Sequence, residues 1–200
     1  MDGGAGMAGG RIGPNAITRM AEAMRNSIGE ERTRAIFAAA GLEERLDHPP
    51  EAMVPEREVT LLHRAAREAL GTAHATQLAR RAGMLTGQYL LAHRIPKPVQ
   101  WLLRALPAPV AARLLVKAIA RHAWTFAGSG RFSARPGNPL VLEVAGGPIA
   151  LAGPAEQPVC DFYTATFGTL FRALVNAEAQ VVETQCTAMG ATSCLFEVRW

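Results

Sequence analysis

The segment that decides the fold runs from Pro158 to Trp200 and reads PVCDFYTATFGTLFRALVNAEAQVVETQCTAMGATSCLFEVRW. Residues 159–175 carry apolar side chains at helical spacing and predict a helix. Residues 179–189 and 193–200 predict a terminal hairpin that turns at Gly190. All three cysteines of the chain lie in this segment. A helix followed by a hairpin is therefore expected to bring three thiols close together.

Cys160, Glu183, Cys186 and Cys194 are the candidate metal ligands. Structural zinc sites use sulfur and nitrogen donors in a closed tetrahedron, and a helix N-terminus favours the thiolate form of Cys160. On a regular strand Glu183 and Cys186 would point to opposite faces, so the site requires a bulge or turn between them. Buried, inert thiols are the alternative, because the chain contains no CxxC pair.

Helices are predicted for most of the chain before this segment. Apolar spacing and turn residues predict helices over 15–28, 31–45 with a break at Gly41, 56–94 with an interruption near Gly71, 99–106 and the amphipathic stretch 110–124, then strands over 130–134 and 140–144. The predicted fold is therefore α+β with two layers, in which N-terminal helices precede an antiparallel sheet crossed by a late helix.

The basic residues are distributed unevenly. Residues 69–142 contain no Asp or Glu and ten Arg or Lys side chains, so they favour an anionic partner: a carboxylate-bearing ligand, a membrane surface or nucleic acid. Arg113, Lys117 and Arg121 recur every four residues and form one stripe on the amphipathic helix. A solvated basic face explains this stripe equally well. The residues predicted on the apolar side of the helix are Leu114, Leu115, Ala118, Ile119 and His122.

The amphipathic helix is too short and too charged to cross a bilayer. It can lie on a membrane surface or pack on a sheet, and packing on a sheet is the more frequent arrangement. Residues 1–14 lack an apolar signal region and are expected to be a flexible leader, which favours a cytoplasmic location with reduced thiols.

The sequence contains no complete cofactor motif for reduction. Gly128-Ser129-Gly130 lacks the third glycine of a dinucleotide loop and precedes a predicted strand instead of a helix. Three cysteines are too few for an iron–sulfur cluster held by four thiolates. The residues alone therefore give no sign of a self-contained reductase.

Three stretches carry a family resemblance: HAWTFAGSGRF (122–132), PVCDFYTATFGTLFRALV (158–175) and ETQCTAMGATSCLFEV (183–198). They resemble the 4-vinyl reductase domain family over residues 93–200, and most of the chain resembles the bacteriochlorophyll-biosynthesis members. The resemblance implies a helical region over 15–92 and a ligand-binding domain over 93–200. It also implies a two-layer fold related to trafficking-complex subunits, an apolar ligand pocket and a homodimer. Its Cys, Glu, Cys, Cys order implies a structural zinc held by Cys160, Glu183, Cys186 and Cys194.

The resemblance further implies a role in photosynthetic pigment synthesis. We expect the chain to bind a vinyl-bearing magnesium tetrapyrrole at the 4-vinyl (8-vinyl) reduction step, as a carrier or accessory factor. The alternatives are the 4-vinyl reductase itself with an external reductant, and a non-catalytic module that senses a small molecule. Other bacteriochlorophyll-biosynthesis enzymes and a peripheral membrane contact are expected partners, and nucleic acid is not. The predicted ligand-binding residues are Trp101, His122, Trp124, Phe126, Phe132, Arg113, Lys117 and Arg121.

For the aromatic residues of this set, ordinary core packing is the competing interpretation. His122 is a candidate axial ligand for the magnesium, and a hydrogen-bonded core histidine is its competing interpretation.

Overall fold

Helices give way to strands near residue 130, as the sequence predicts. The computed structural model describes residues 9–200, so residues 1–8 of the expected leader lie outside the described residues. The elements are β1 (Arg11–Ile12), α1 (Asn15–Ile28), α2 (Glu30–Ala39), α3 (Glu44–Asp47), β2 (Val54–Pro55), α4 (Glu56–Leu70), α5 (Thr72–His93), α6 (Lys97–Ala105), α7 (Ala108–Arg121), α8 (Trp124–Ala127), β3 (Arg131–Arg135), β4 (Leu140–Ala145), α9 (Asp161–Leu174), β5 (Gln180–Gln185) and β6 (Cys194–Arg199).

Strands β3 to β6 form one antiparallel sheet with the order β3-β4-β6-β5. Leu142 on β4 pairs with Phe196 on β6, and Phe196 pairs with Glu183 on β5. Burial alternates along β4 and β6, so one face of the sheet packs into the core. Helix α9 packs on this sheet and on α5. The predicted α+β class, with early helices and a late helix across an antiparallel sheet, is confirmed.

The contact between α5 and α9 depends on small residues. A Cβ atom at Gly83 would lie 2.2 Å from the carbonyl oxygen of Phe162, and one at Gly87 would lie 2.6 Å from Cβ of Thr169. The hydroxyl of Thr166 donates a hydrogen bond of 3.0 Å to the carbonyl oxygen of Gly83. The two helix backbones therefore approach more closely than any larger residue at position 83 would permit.

The predicted interruption near Gly71 is confirmed. Helix α4 ends at Leu70, α5 begins at Thr72, and Gly71 has φ +75° and ψ 158°. A side chain at this φ would be strained, so glycine fits the junction between the two helices. Within residues 9–200, no helix is long and apolar enough to span a bilayer.

The short strand pair β1–β2 was not predicted from the sequence. Arg11 pairs with Pro55 and Ile12 pairs with Val54, so residues 11–12 are ordered inside the stretch expected to be a flexible leader. Ile12 is buried in the core. A two-residue strand has no periodicity that a sequence pattern can reveal.

Candidate metal centre

Four local features bring the predicted metal ligands together. Cys160 is the N-cap of α9, and Cys194 begins β6. Glu183 lies on β5, and Cys186 follows the end of that strand in an extended conformation. The pairing of β5 with β6 shifts register between Glu183 and Gln185, so the predicted irregularity between Glu183 and Cys186 is confirmed.

The turn of the terminal hairpin completes this arrangement. A single 3₁₀ turn, Thr187–Met189, leads into Gly190, which has φ +89°. The backbone N–H of Ala191 donates a hydrogen bond of 3.3 Å to the carbonyl oxygen of Cys186. The turn therefore closes directly beside Cys186 and returns the chain to Cys194.

The sulfur atoms have the spacing of a tetrahedral metal site. The Sγ atom of Cys160 lies 3.5 Å from that of Cys194 and 4.0 Å from that of Cys186, and the third pair is separated by 3.9 Å. Tetrahedral zinc with Zn–S bonds of about 2.3 Å requires S–S separations of about 3.8 Å. The observed distances bracket this value, and all three cysteines are free thiols. One ligand atom from each of the four residues lies within 4.8 Å of the others.

Glu183 supplies the fourth donor. Its Oε2 atom accepts a hydrogen bond of 2.8 Å from the backbone N–H of Cys160. Its Oε1 atom is buried and has no hydrogen-bond partner among residues 9–200. A buried carboxylate oxygen without a donor is costly unless a cation or a proton satisfies it. The four side chains therefore fit a metal ion and can hold one.

The protonation of the cluster shows why a cation would suit it. Burial raises the pKa of Glu183 to about 8, and Cys186 adds to this rise. Hydrogen bonding with Cys186 and Cys194 raises the pKa of Cys160 well above its usual range. Contacts with the same network lower the pKa of Cys194 to about 4, because the other two thiols donate to it. The cluster thus accommodates one thiolate and resists further negative charge until a cation compensates it.

The surroundings of the cluster support the thiolates. The backbone N–H of Thr187 lies 3.3 Å from the Sγ atom of Cys194 and donates to it. Arg67 on α4 donates to the carbonyl oxygens of Ile149 and Gly153, at 2.7 and 3.3 Å. Burial lowers the pKa of Arg67, and the nearby Cys160, among other cluster groups, acts in the opposite direction.

Arg67 was missed in the sequence, where it looks like one more charged residue of an amphipathic helix. Its helical spacing from Arg64, which donates to the carbonyl oxygen of Ala152, was the available signal.

The predicted aromatic ligand residues are divided between the interior and the surface. Phe126 and Phe132 pack edge to face, with 5.6 Å between their ring centroids, and both contact Phe167 in the interior. Trp101 and Trp124 are 67% and 58% exposed. Ordinary packing accounts for the two phenylalanines, and the two tryptophans are available at the surface. A ligand role for any of the four stays a prediction.

The predicted position of His122 on the apolar side of the amphipathic helix is wrong. Helix α7 ends at Arg121, and His122 follows it with φ −108° and ψ 13°, so its side chain leaves the helical register. The residue is exposed, and its Nδ1 atom lies 2.9 Å from the carbonyl oxygen of Ala118. An axial-ligand role for His122 remains a prediction that now concerns a surface side chain.

The predicted basic stripe of α7 is exposed along its whole length. Leu115 and Ile119 are buried as predicted, but Leu114 and Ala118 were assigned to the wrong side. Leu114 is 44% exposed, because the helix packs through a narrow strip that includes Ala111 and Ala112.

A shallow cleft of about 240 Å³ lies between α7 and the sheet. Most of its lining is apolar, from Pro109, Val116 and Leu140 among others, and it includes the C-terminal Trp200. Arg113 is the charged residue of this lining. Of the eight predicted ligand-binding residues, Arg113 is the one that lines a cleft in the described part of the chain.

The Gly128-Ser129-Gly130 loop binds a carboxylate of the protein itself. The backbone N–H of Ser129 donates to Oε2 of Glu56, and its hydroxyl donates to Oε1, both at 2.7 Å. The backbone N–H of Gly10 also donates to Glu56, at 3.1 Å. This clamp joins α4, the N-terminal strand and the loop before β3, and it engages the donors that a phosphate would need. Glu56 was not singled out from the sequence.

Comparison with known proteins places these features in a family. The family model for the 4-vinyl reductase domain matches residues 140–200. The chain is 43% identical to the bacteriochlorophyll synthase 23 kDa chain of Cereibacter sphaeroides, over 94% of this chain and 90% of that protein. It is 38% identical to the protein of the same name from Rhodobacter capsulatus, over 93% and 85% of the two chains.

Solved structures show the fold in a second way. A Fe(II) unliganded H-NOX protein from K. algicida superposes with a TM-score of 0.59 at 13% identity, over 94% of this chain and 96% of that chain. At this identity the likeness shows the fold alone.

Proposed function

The chain belongs to the family of the bacteriochlorophyll synthase 23 kDa chain, and from this premise we propose that it takes part in bacteriochlorophyll biosynthesis by binding a tetrapyrrole intermediate. The observation that carries the proposal is the 43% identity over nearly the whole of both chains. The match includes the helical half as well as the sheet, so it extends well beyond the segment that the domain model covers. Relatives named as one chain of a synthase also agree with a role beside other polypeptides.

The finer proposal is a carrier or accessory role at the 4-vinyl (8-vinyl) reduction step, as the resemblance to the 4-vinyl reductase domain family suggests. The ligand would be a vinyl-bearing magnesium tetrapyrrole of the protochlorophyllide or chlorophyllide type. The donors of the glycine loop are engaged by Glu56, which favours binding over nicotinamide-dependent reduction. The homodimer expected from the family belongs to the same proposal.

Zinc is the metal that we propose for the cluster of Cys160, Glu183, Cys186 and Cys194. Three thiolates and one carboxylate match its preference for four-coordinate tetrahedral sites in which the metal supports structure. Four protein ligands leave no open position for a substrate, so the chemistry that the ion supplies is structural. Its ligands would tie the start of α9 to both strands of the terminal hairpin, and thereby hold one wall of the core.

The cleft beside α7 is the pigment site that the geometry supports best. The interior between α9 and the sheet is occupied by packed rings, including Tyr163, Phe167 and Phe196. The cleft of about 240 Å³ is below the roughly 300–1,000 Å³ of pockets that enclose drug-sized ligands. We therefore place one edge of the macrocycle in the cleft, with a ring carboxylate at Arg113 and the remainder lying across the surface.

A pigment titration tests this proposal. Purified protein is added to divinyl protochlorophyllide, and the absorption spectrum is followed with and without NADPH. The proposal expects a saturable spectral shift at micromolar protein and no change of the vinyl group when NADPH is added. An unchanged spectrum would overturn pigment binding and leave the small-molecule-sensing module, whereas NADPH-dependent loss of the vinyl group would replace the carrier with the reductase.

A further inference from the structure

Exposed apolar side chains are concentrated on one part of the described surface. Residues 9–200 contain eleven large hydrophobic side chains that are exposed, and six of these fall within residues 99–124. The six are Val99, Trp101, Leu102, Val110, Leu114 and Trp124. Single exposed hydrophobic residues are normal, but such a concentration marks an interaction surface. We call these residues, together with the basic side chains between them, the α6–α8 face.

Helix α6 is anchored through one side and presents the other. Gln100 and Leu103 are buried, and the side-chain amide of Gln100 donates a hydrogen bond of 2.8 Å to the carbonyl oxygen of Ile95. Arg104 donates to the carbonyl oxygen of Ala173 near the end of α9, at 2.9 Å. At about 100° per residue, Trp101 and Leu102 lie on the arc opposite this anchor. The exposed side of α6 is therefore apolar and is held by a fixed backbone.

Helix α7 interleaves apolar and basic side chains on its outward arc. Val110 and Leu114 are exposed, one turn apart. Lys117 and Arg121 are exposed on the same arc, because residues three and four apart share a helix face. Long basic side chains can keep their charges in water while their stems lie along apolar surface. This arrangement suits a boundary between an apolar phase and a negatively charged aqueous layer.

The charges of the α6–α8 face are not neutralised within the protein. None of Lys97, Lys117 and Arg121 forms an ion pair with another residue of the described range 9–200. The sequence has no Asp or Glu between residues 69 and 142. Charge complementarity therefore requires an anionic partner, and the exposed tryptophan and leucine side chains require an apolar one.

We propose that the α6–α8 face docks on the surface of a bilayer that contains anionic lipids. Interfacial helices combine basic residues with Trp and Leu on their contact side, and a bilayer satisfies both at once. A second copy of the chain is a poorer partner, because a two-fold contact through this face would bring its uncompensated basic residues together. Nucleic acid would satisfy the charge but not the apolar side chains. The inference does not depend on pigment binding.

Vesicle co-sedimentation without pigment tests the proposal. Wild-type protein should bind phosphatidylglycerol–phosphatidylcholine vesicles and release from them in 0.5 M salt, while vesicles of phosphatidylcholine alone should bind at least about tenfold less. Lys117→Glu combined with Arg121→Glu should lower the partition coefficient on the order of 30-fold or more. Trp101→Ser combined with Leu102→Ser should lower it about tenfold or more.

Matched variants elsewhere on the surface serve as controls. Arg32→Glu combined with Arg57→Glu makes the same change of net charge on α2 and α4, and Val182→Ser removes an exposed apolar side chain from β5. Both should bind anionic vesicles within about twofold of wild type, because docking depends on one face.

Two outcomes would overturn the proposal. The first is equal loss of binding in the control variants, since it would show attraction without a face. The second is wild-type protein that does not bind anionic vesicles but changes from dimer to monomer when Trp101 and Leu102 are replaced, since it would assign the face to self-association. Circular dichroism of each variant identifies any that fails to fold. For such a variant, Trp101→Ser alone provides the comparison.

Discussion

The backbone N–H of Cys160 donates a hydrogen bond of 2.8 Å to Oε2 of Glu183. This contact joins the first residue of the late helix to the penultimate strand, and it orients the carboxylate so that one oxygen is left without a protein donor among residues 9–200. The Sγ atom of Cys160 lies in the same cluster. One residue therefore contributes a ligand and also fixes the position of another ligand, as is usual for supporting contacts around metal sites.

Replacing Cys186 by serine should remove the metal and destabilise the protein. A hydroxyl is a poor zinc ligand, and metal-binding free energy contributes to folding when the unfolded chain has no preformed site. We expect metal content to fall from about one ion per chain to near zero, and the free energy of unfolding to fall by at least ~2 kcal/mol. Elemental analysis and urea denaturation measure the two effects.

Ala188→Ser is the matched control, because Ala188 is also buried in the hairpin turn but supplies no ligand. It should retain the metal. Equal metal content in the Cys186→Ser protein would contradict the proposed ligand set.

Metal affinity should increase steeply with pH. Without metal, the pKa of Glu183 is raised to about 8 and that of Cys160 lies well above its usual range, so both groups carry protons at pH 7. A metal that binds both must displace these protons, and lowering the pH therefore opposes binding. Between pH 6.5 and 7.5 the apparent affinity should rise about 100-fold per pH unit, for two protons released.

Competition with a chelator at several pH values measures this slope. Calorimetry in buffers of different ionisation enthalpy counts the released protons directly. An affinity that stays constant across the interval would show that the cluster binds without displacing these protons.

The sequence predicts most of the fold, because the late helix and the hairpin have clear periods of 3.6 and 2. Gly71 marks its helix boundary by its conformation alone. The pairing of Arg11 and Ile12 with Val54 and Pro55 could not be predicted in this way, since a pair of two-residue strands depends on tertiary contacts.

Gly83→Ala should destabilise the protein, although alanine is the better helix former. The added Cβ atom would lie 2.2 Å from the carbonyl oxygen of Phe162, and a backbone atom cannot move aside without separating α5 from α9. We expect a net loss of ~1–3 kcal/mol in the free energy of unfolding, measured by urea denaturation.

Gly168→Ala on α9 is the matched control. Its Cβ atom would meet only the flexible end of the Arg172 side chain, at 3.2 Å. The free energy of unfolding should stay within ~0.5 kcal/mol of wild type or rise by up to ~1 kcal/mol. Equal effects of the two substitutions would contradict the close helix contact.

Arg113→Gln should weaken pigment binding about tenfold, because it removes a charged donor for a carboxylate at the edge of the cleft. The absorption titration with divinyl protochlorophyllide measures the change. Arg57→Gln, on the exposed side of α4, is the control and should leave the titration unchanged. A titration unaffected by Arg113→Gln would place the pigment elsewhere on the protein.

The candidate metal ligands could be predicted because cysteine is rare in the chain and all three copies lie in one segment. Their supporting residues could not, since Arg67 and Glu56 look like ordinary helical charges until the chain folds around them. The direction of side chains near helix ends was also beyond the sequence pattern: His122 leaves the helical register after Arg121. Exposure of Leu114 depends on how narrow the contact strip of α7 is, which a period of 3.6 does not specify.

The central claim is that Cys160, Glu183, Cys186 and Cys194 form one closed metal centre that stabilises the fold. Elemental analysis of the purified wild-type protein, followed by denaturation before and after chelation, tests it most directly. The account predicts about one zinc per chain and a marked loss of stability when the zinc is removed. A protein that contains no metal, or one that is equally stable after its metal is removed, would contradict it.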